Sequence, residues 1–207
     1  MLRLDHVVYA VPDLDEAEVR FREAFGLDSI EGGRHERWGT ANRIVPLGDQ
    51  YLELVAALDE PMAAETAFGR GVLARAAGGG GWFTMAALVD DLDAVASRLG
   101  IEVDSGSRTR PDGQTVRWRM AGLDDPRREA WMPFFLIWDI SDELHPGRAR
   151  AGHGVRATGI AWVEEGGDAE RLRTWLGGDE LPIRVTDGER GIRGVAISIA
   201  DGELVIE

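Results

Sequence analysis

Hydrophobic positions along the chain follow two rhythms, one of period two and one near 3.6, and these alternate in a fixed order. Leu4, His6, Val8 and Ala10 share one parity and predict a strand over about Leu2 to Val11. Asp13, with Glu16 three residues on, forms a capping box. Leu14, Ala17, Phe21, Ala24 and Phe25 then recur at helical spacing until Gly26 supplies a stop. Short strands are predicted at about 28–30, 41–46 and 50–56, separated by Gly-rich or Gly-Asp turns. After Gly78-Gly-Gly-Gly81 the order restarts, with a strand over 82–89 and a short helix carrying Leu92, Val95 and Leu99 that closes at Gly100. Strands near 101–104, 115–121 and 134–138 complete this second pass. Val11-Pro-Asp-Leu-Asp15 and Val89-Asp-Asp-Leu-Asp93 hold equivalent places in the two passes. A third, weaker pass has a strand over 155–163, a helix over 168–176 ended by Gly177, and strands near 181–185, 191–199 and 203–207.

This order describes an α+β chain of tandem βαβββ modules: 1–58, 81–140 and a βαβββ-like unit over 155–207. A helical linker, 59–80, holds one helix from Met62 to Ala76, and a second linker, 141–154, is rich in Gly, Arg, Pro and His. One such unit curls into half a barrel, and two side by side make a cupped mixed sheet around a cavity. The third is left to extend the sheet, pair with a second subunit or cover the mouth. Strand parity also assigns faces. Tyr51, Glu53 and Val55 share one side of their strand, and Leu52 and Leu54 the other. With Leu52, Leu54, Val7 and Tyr9 packed under the helix, His6 and Glu53 both point into the cup.

Composition removes several chemistries. The chain has no cysteine, so disulfides, thiolate metal sites and a cysteine nucleophile are absent. All 23 basic residues are Arg, which excludes Schiff-base chemistry and a P-loop lysine. A net charge of −14 argues against nucleic acid and anionic membranes as partners, though not against small anions that meet a local Arg cluster. The chain shows no secretory leader and no long apolar run, so a soluble, cytoplasmic protein is expected. It carries no G-x-S-x-G, H-E-x-x-H or Rossmann fingerprint.

Leu4-Asp-His-Val-Val-Tyr-Ala-Val-Pro-Asp13, Gly33-Arg-His-Glu-Arg-Trp-Gly-Thr-Ala-Asn42 and Tyr51-Leu-Glu-Leu54 resemble the glyoxalase-like domain family of the vicinal-oxygen-chelate superfamily. Arg108 to Gly113, Trp118 to Gly122, Pro133 to Asp139 and His145-Pro146 are similar to the second half of the same family. The resemblance spans about residues 2–150 and leaves the third unit to pattern alone. It implies that a His on the first strand and a Glu on the last of each module reach a divalent metal, Zn, Mn, Fe or Ni. His6 and Glu53 hold those places, but Thr84 replaces the second His, and Phe134, Phe135 and Leu136 stand where a second carboxylate belongs. Two protein ligands hold a metal loosely. His35, from the loop after the second strand, is one candidate for a third ligand; Glu207 of the third unit is another.

His6, Glu53 and His35 are therefore the expected catalytic set. Thr40, Asn42, Arg108, Arg110, Trp138 and His145 are the expected substrate contacts. Arg108 and Arg110 flank a Pro-Asp-Gly turn and suit a carboxylate or phosphate. The leading expectation is a small-molecule pocket protein doing metal-assisted lyase, isomerase or dioxygenase chemistry on an oxygenated metabolite. The alternatives are a metal-free protein that sequesters its ligand, and an assembly module whose extra unit makes a homodimer.

Overall fold

The computed structural model describes all residues, 1–207. Eight strands close into a barrel: β1 (Leu2–Ala10), β2 (Ile30–His35), β3 (Thr40–Pro46), β4 (Tyr51–Ala57), β5 (Gly81–Val89), β6 (Val103–Thr109), β7 (Thr115–Ala121) and β8 (Phe134–Trp138). Their order around the barrel is β1-β4-β3-β2-β6-β7-β8-β5. In each half the first strand lies parallel to the last, His6 beside Tyr51 in one and Ala86 beside Phe134 in the other. The halves meet along the antiparallel β1–β5 pair and again where Arg34 faces Thr109. The cup is thus built from the first and second modules.

The helices end where the sequence signals them. Asp13 accepts from the backbone N–H groups of Asp15 and Glu16 to start α1 (Leu14–Phe25), and Gly26 ends it at φ 67°, a left-handed conformation that costs glycine little. Asp91 and Gly100 do the same for α4 (Leu92–Leu99), as do Asp168 and Gly177 for α5 (Ala169–Leu176). The linker is two helices rather than one, α2 (Glu60–Glu65) and α3 (Ala67–Ala77). Thr66 between them is extended, and its hydroxyl caps α3 by accepting from Gly69 N–H at 3.0 Å.

Two apolar layers follow from strand parity. Val8, Ala10, Val55, Ala86, Val116, Trp118, Met120, Phe134 and Leu136 fill the barrel with Trp38 and, from α3, Phe68 and Val72. Val7, Tyr9, Leu52 and Leu54 face outwards onto Ala17 and Phe21 of α1. Phe21 is 1% exposed, and burying a Phe side chain is worth roughly 1.5–3 kcal/mol.

The third unit has the expected order of elements but a different pairing. Its strands, β9 (Ala157–Gly166), β10 (Ile183–Thr186), β11 (Gly191–Ile199) and β12 (Gly202–Ile206), form a separate sheet ordered β10-β9-β11-β12. The first strand here sits in the middle, parallel to the second instead of the last. This sheet backs the outside of the barrel. Trp175 of α5 stacks on Phe135 at 5.7 Å between ring centroids, and its indole N–H donates to Pro133 O at 2.8 Å. Trp82 donates to Ile206 O at 3.0 Å. No helix of the chain is long and apolar enough to cross a membrane.

Candidate functional site

Inside the barrel, a cavity of about 40 Å³ is lined by His6, His35, Trp38, Asn42, Tyr51, Glu53 and Arg108, with an apolar wall that includes Trp118, Phe134, Leu136 and Trp138. His6 and Glu53 arrive on adjacent parallel strands, β1 and β4, and Asn42 on β3 beside them. His35 ends β2. It is 5% exposed, a buried strand residue rather than the loop residue that the sequence suggested. Two glycines explain the longer strand. A Cβ at Gly32 would stand 2.1 Å from the Asn42 side chain and 2.5 Å from that of Arg108. One at Gly33, where φ is +144°, would stand 2.2 Å from Thr109 O. Both are side-chain-free so that β2 can approach the cup and close the barrel against β6.

The polar groups form one connected set. Asn42 donates from Nδ2 to Glu53 Oε1 at 2.6 Å, and its Oδ1 accepts from Arg108 Nη1 at 3.3 Å. His6 Nε2 stands 3.6 Å from Glu53 Oε2, and His35 Nε2 stands 3.8 Å from Glu53 Oε1. His35 Nδ1 pairs with the Thr40 hydroxyl at 3.1 Å. Tyr51 stacks on the His6 ring at 4.5 Å. Burial outweighs the attraction of Glu53 and brings His35 down to about 4, so this imidazole is neutral near pH 7. Burial likewise raises Tyr51 well above an ordinary phenol and lowers Arg108.

Hydrogen-bonding capacity is left over. The Arg108 side chain has one hydrogen bond within the chain, through Nη1, out of five possible donors. The Trp38 indole N–H is buried and finds no acceptor at all. Such donors in a buried wall call for an acceptor supplied from outside the chain.

Comparison with known proteins places this cup in a family. The glyoxalase-like domain profile matches residues 4–181. The chain belongs to this family. No curated protein matches it by sequence. Among solved structures, it is similar to a hypothetical protein from Staphylococcus aureus at 18% identity and TM-score 0.71, covering 92% of this chain and 87% of that one. That likeness speaks to the fold. Methylmalonyl-CoA epimerase from Mycobacterium tuberculosis aligns at 24% identity and TM-score 0.47, over 68% of this chain and 89% of that one. A Streptomyces coelicolor methylmalonyl-CoA epimerase aligns at 23% and 0.47, over 65% and 95%.

Of the residues that the sequence singled out in this glyoxalase-like domain, His6, His35, Asn42, Glu53, Arg108 and Trp138 line the cavity. Thr40 stands behind His35. Arg110 does not reach the cup; it is partly exposed and pairs with Asp112 in its own turn. Glu207 does not either, because it lies exposed beyond β12 in the other sheet. His145 is set one layer back, on Asp5.

Sequence reasoning missed Asp5, Trp38 and Tyr51. Tyr51 shares the parity of Glu53, a signal that was present. Asp5 has the opposite parity to His6, and a bulge in the β1–β5 ladder between Leu4 and His6 brings it to the same cluster. Asp5 accepts from His6 Nδ1 at 2.7 Å, His145 Nε2 at 3.0 Å and Trp138 Nε1 at 3.1 Å. Burial alone would raise its carboxyl, but hydrogen bonds from His145 and His6 outweigh that and hold it at about 2.

The donor set decides whether a divalent metal fits. Two ligands each about 2.1 Å from one ion stand roughly 3.0–3.6 Å apart, which suits His6 and Glu53. His35 is farther from Glu53, and Asn42 Nδ2 covers its Nε2 at 3.4 Å. No three His, Asp or Glu side chains are arranged to hold an ion. The second half adds Thr84, which accepts from Arg128, and apolar groups at Phe134 and Leu136. The donor set does not complete a three-ligand centre.

Proposed function

We propose that the cup binds a small carboxylate- or carbonyl-bearing metabolite and moves a proton at the carbon next to that group. The observation that carries this reading is the buried Arg108 guanidinium, with unspent donors, in the same cavity as the Glu53 carboxylate. Arg108 and the Trp38 N–H hold the ligand's oxygens, and their donors stabilise the oxyanion that grows when the neighbouring C–H bond breaks. Glu53 takes the proton on Oε2. Asn42 keeps Oε1 occupied and so orients the carboxylate. His35 stands on the other side of the carboxylate, and His6, with Nε2 3.6 Å from Oε2, passes the proton back or onward. The apolar wall of Trp118, Phe134 and Leu136 keeps the cup dry, which strengthens each of these interactions.

A second reading is retention of the ligand without turnover. The apolar second half favours it, since Thr84, Ala86 and Phe134 supply no acid or base opposite Glu53. A panel of small 2-oxo and 2-methyl carboxylic acids in D2O, followed by proton NMR, separates the two. Loss of the signal next to the carboxylate or carbonyl, abolished in Glu53→Gln, supports proton transfer. Saturable binding without exchange supports retention. Binding by no member of the panel, with Arg108→Leu indistinguishable from the parent in thermal shift, overturns both.

Metal dependence has its own check, elemental analysis after loading with Zn, Mn, Fe or Ni and desalting. No stoichiometric ion is expected to remain. An ion retained by the parent and lost in His6→Ala would replace the acid–base reading by a Lewis-acid one.

A further inference from the structure

Asp5 is a buried, charged side chain of the barrel that the proton-transfer reading leaves unused. Its side chain is fully buried, and every hydrogen bond it makes is received. We propose that Asp5 is a positioning residue that holds His6 with its proton on Nδ1 and its Nε2 lone pair directed into the cup, and that His145 and Trp138 hold Asp5 for this task.

The argument follows from what each atom can do. A carboxylate only accepts, so the 2.7 Å contact requires His6 Nδ1 to carry a hydrogen. In the neutral form of the ring that N–H is the only one, which leaves Nε2 bare, 3.6 Å from Glu53 Oε2. An unrestrained imidazole favours the opposite tautomer, so something must impose this one. The ring cannot turn away, because Tyr51 stacks on one face and Phe134 meets it edge-on at 5.8 Å.

The other side of Asp5 is built with the same logic. His145 Nδ1 accepts from Gly147 N–H at 3.2 Å, so its proton is on Nε2 and is donated to Asp5 Oδ1. The Trp138 indole donates to the same oxygen. His145 comes from the linker after β8, between two 3-10 turns, Asp142–Leu144 and Pro146–Arg148. That strap is fastened to the barrel where Gly48 N–H donates to Gly147 O at 2.9 Å and Arg148 Nε donates to Asp49 Oδ1 at 2.8 Å. A buried carboxylate with three donors is oriented on all sides. The bulge at Asp5 places that carboxylate behind His6.

The proposal rests on the acid–base reading only for the use made of the lone pair; the tautomer is measurable without a substrate. Long-range proton–nitrogen NMR of 15N-histidine protein, above the pH at which imidazoles titrate, reads it directly. His6 is expected with Nδ1 protonated and Nε2 bare, and His145 with the reverse. In Asp5→Asn the amide N–H donates to Nδ1, and His6 is expected to switch to the Nε2–H form. A parent His6 that already carries its proton on Nε2 overturns the proposal, as does an Asp5→Asn protein that keeps Nδ1–H. If Asp5→Asn does not fold, the parent spectrum decides alone. With a compound that exchanges, Asp5→Asn is expected to lower kcat with KM unchanged. If no compound exchanges, the functional reading fails while the tautomer result stands.

Discussion

The two halves of the barrel repeat one topology and divide the chemistry unequally. The first half, β1 to β4, contributes His6, His35, Asn42 and Glu53; the second contributes Arg108 and an apolar wall of Trp118, Phe134 and Leu136. At the register position beside His6, β5 carries Ala86. Beside Ala86, β8 carries Phe134, where β4 has Tyr51 beside His6. Duplicated strands therefore conserve backbone hydrogen bonding, which any side chain satisfies, while only one copy needs to keep acids and bases. The outer faces differ as well. On the outside, α1 packs on the first half, and Trp175 of α5 in the third unit stacks on Phe135 of the second.

Substitutions can break this contrast in a graded way. Glu53→Gln tests whether the first half owns the proton step. Proton exchange with a bound acid is expected to fall about 10²–10⁴-fold, with thermal stability nearly unchanged. An equal loss from Phe134→Leu would erase the division. Trp175→Ala and Phe135→Ala test the structural side, each expected to cost about 3–5 kcal/mol in denaturant titration through lost burial and a cavity. The same variants should retain ligand binding wherever they stay folded.

Arg108→Leu is the case in which the second half does carry chemistry. Affinity for a carboxylate ligand is expected to weaken about 10- to 100-fold by calorimetry, the worth of a charge-assisted hydrogen bond. Unchanged affinity would leave the second half as wall only.

The smallest expected effect contrasts the cup with the third unit through pH. His35 is lowered from 6.5 to about 4 in the folded protein, so the unfolded chain binds more protons between those values. Its contribution is present above about 6.5 and is lost as pH falls towards 4. Glu165 of β9 is buried without a hydrogen-bond partner and is raised by burial from 4.5 to about 8. Its folded state binds the extra proton, so stability is lost as pH rises from about 4.5 through 8. Glu165→Gln should therefore stabilise the protein most near pH 8, and His35→Gln most near pH 4, read as shifts in Tm across a pH series. Opposite slopes would show that these sites are misassigned.

Much of this was legible in the residues. The capping box at Asp13 and the stops at Gly26, Gly100 and Gly177 marked three helices, because capping is a local interaction; the structure adds caps at Asp91 and Asp168. Parity alone turned His6 and Glu53 inward and Leu52 and Leu54 outward. Arg110 was misplaced because its neighbour Asp112 holds it in the turn, a choice that composition does not reveal.

What the sequence determined by itself was most of the elements, the faces of β4 and of β1 beyond its bulge, and the family, since these depend on spacings within a few residues. Tertiary structure decided which strands are neighbours. It closed β2 on β6 through Gly32 and Gly33, set β9 in the middle of its own sheet, and kept Glu207 far from the cup. It also decided that a bulge would turn Asp5 towards His6, and that His145, 140 residues away, would meet it there. Periodicity records how a strand faces; the partner across the ladder, and any residue inserted into it, is set by packing between segments remote in sequence.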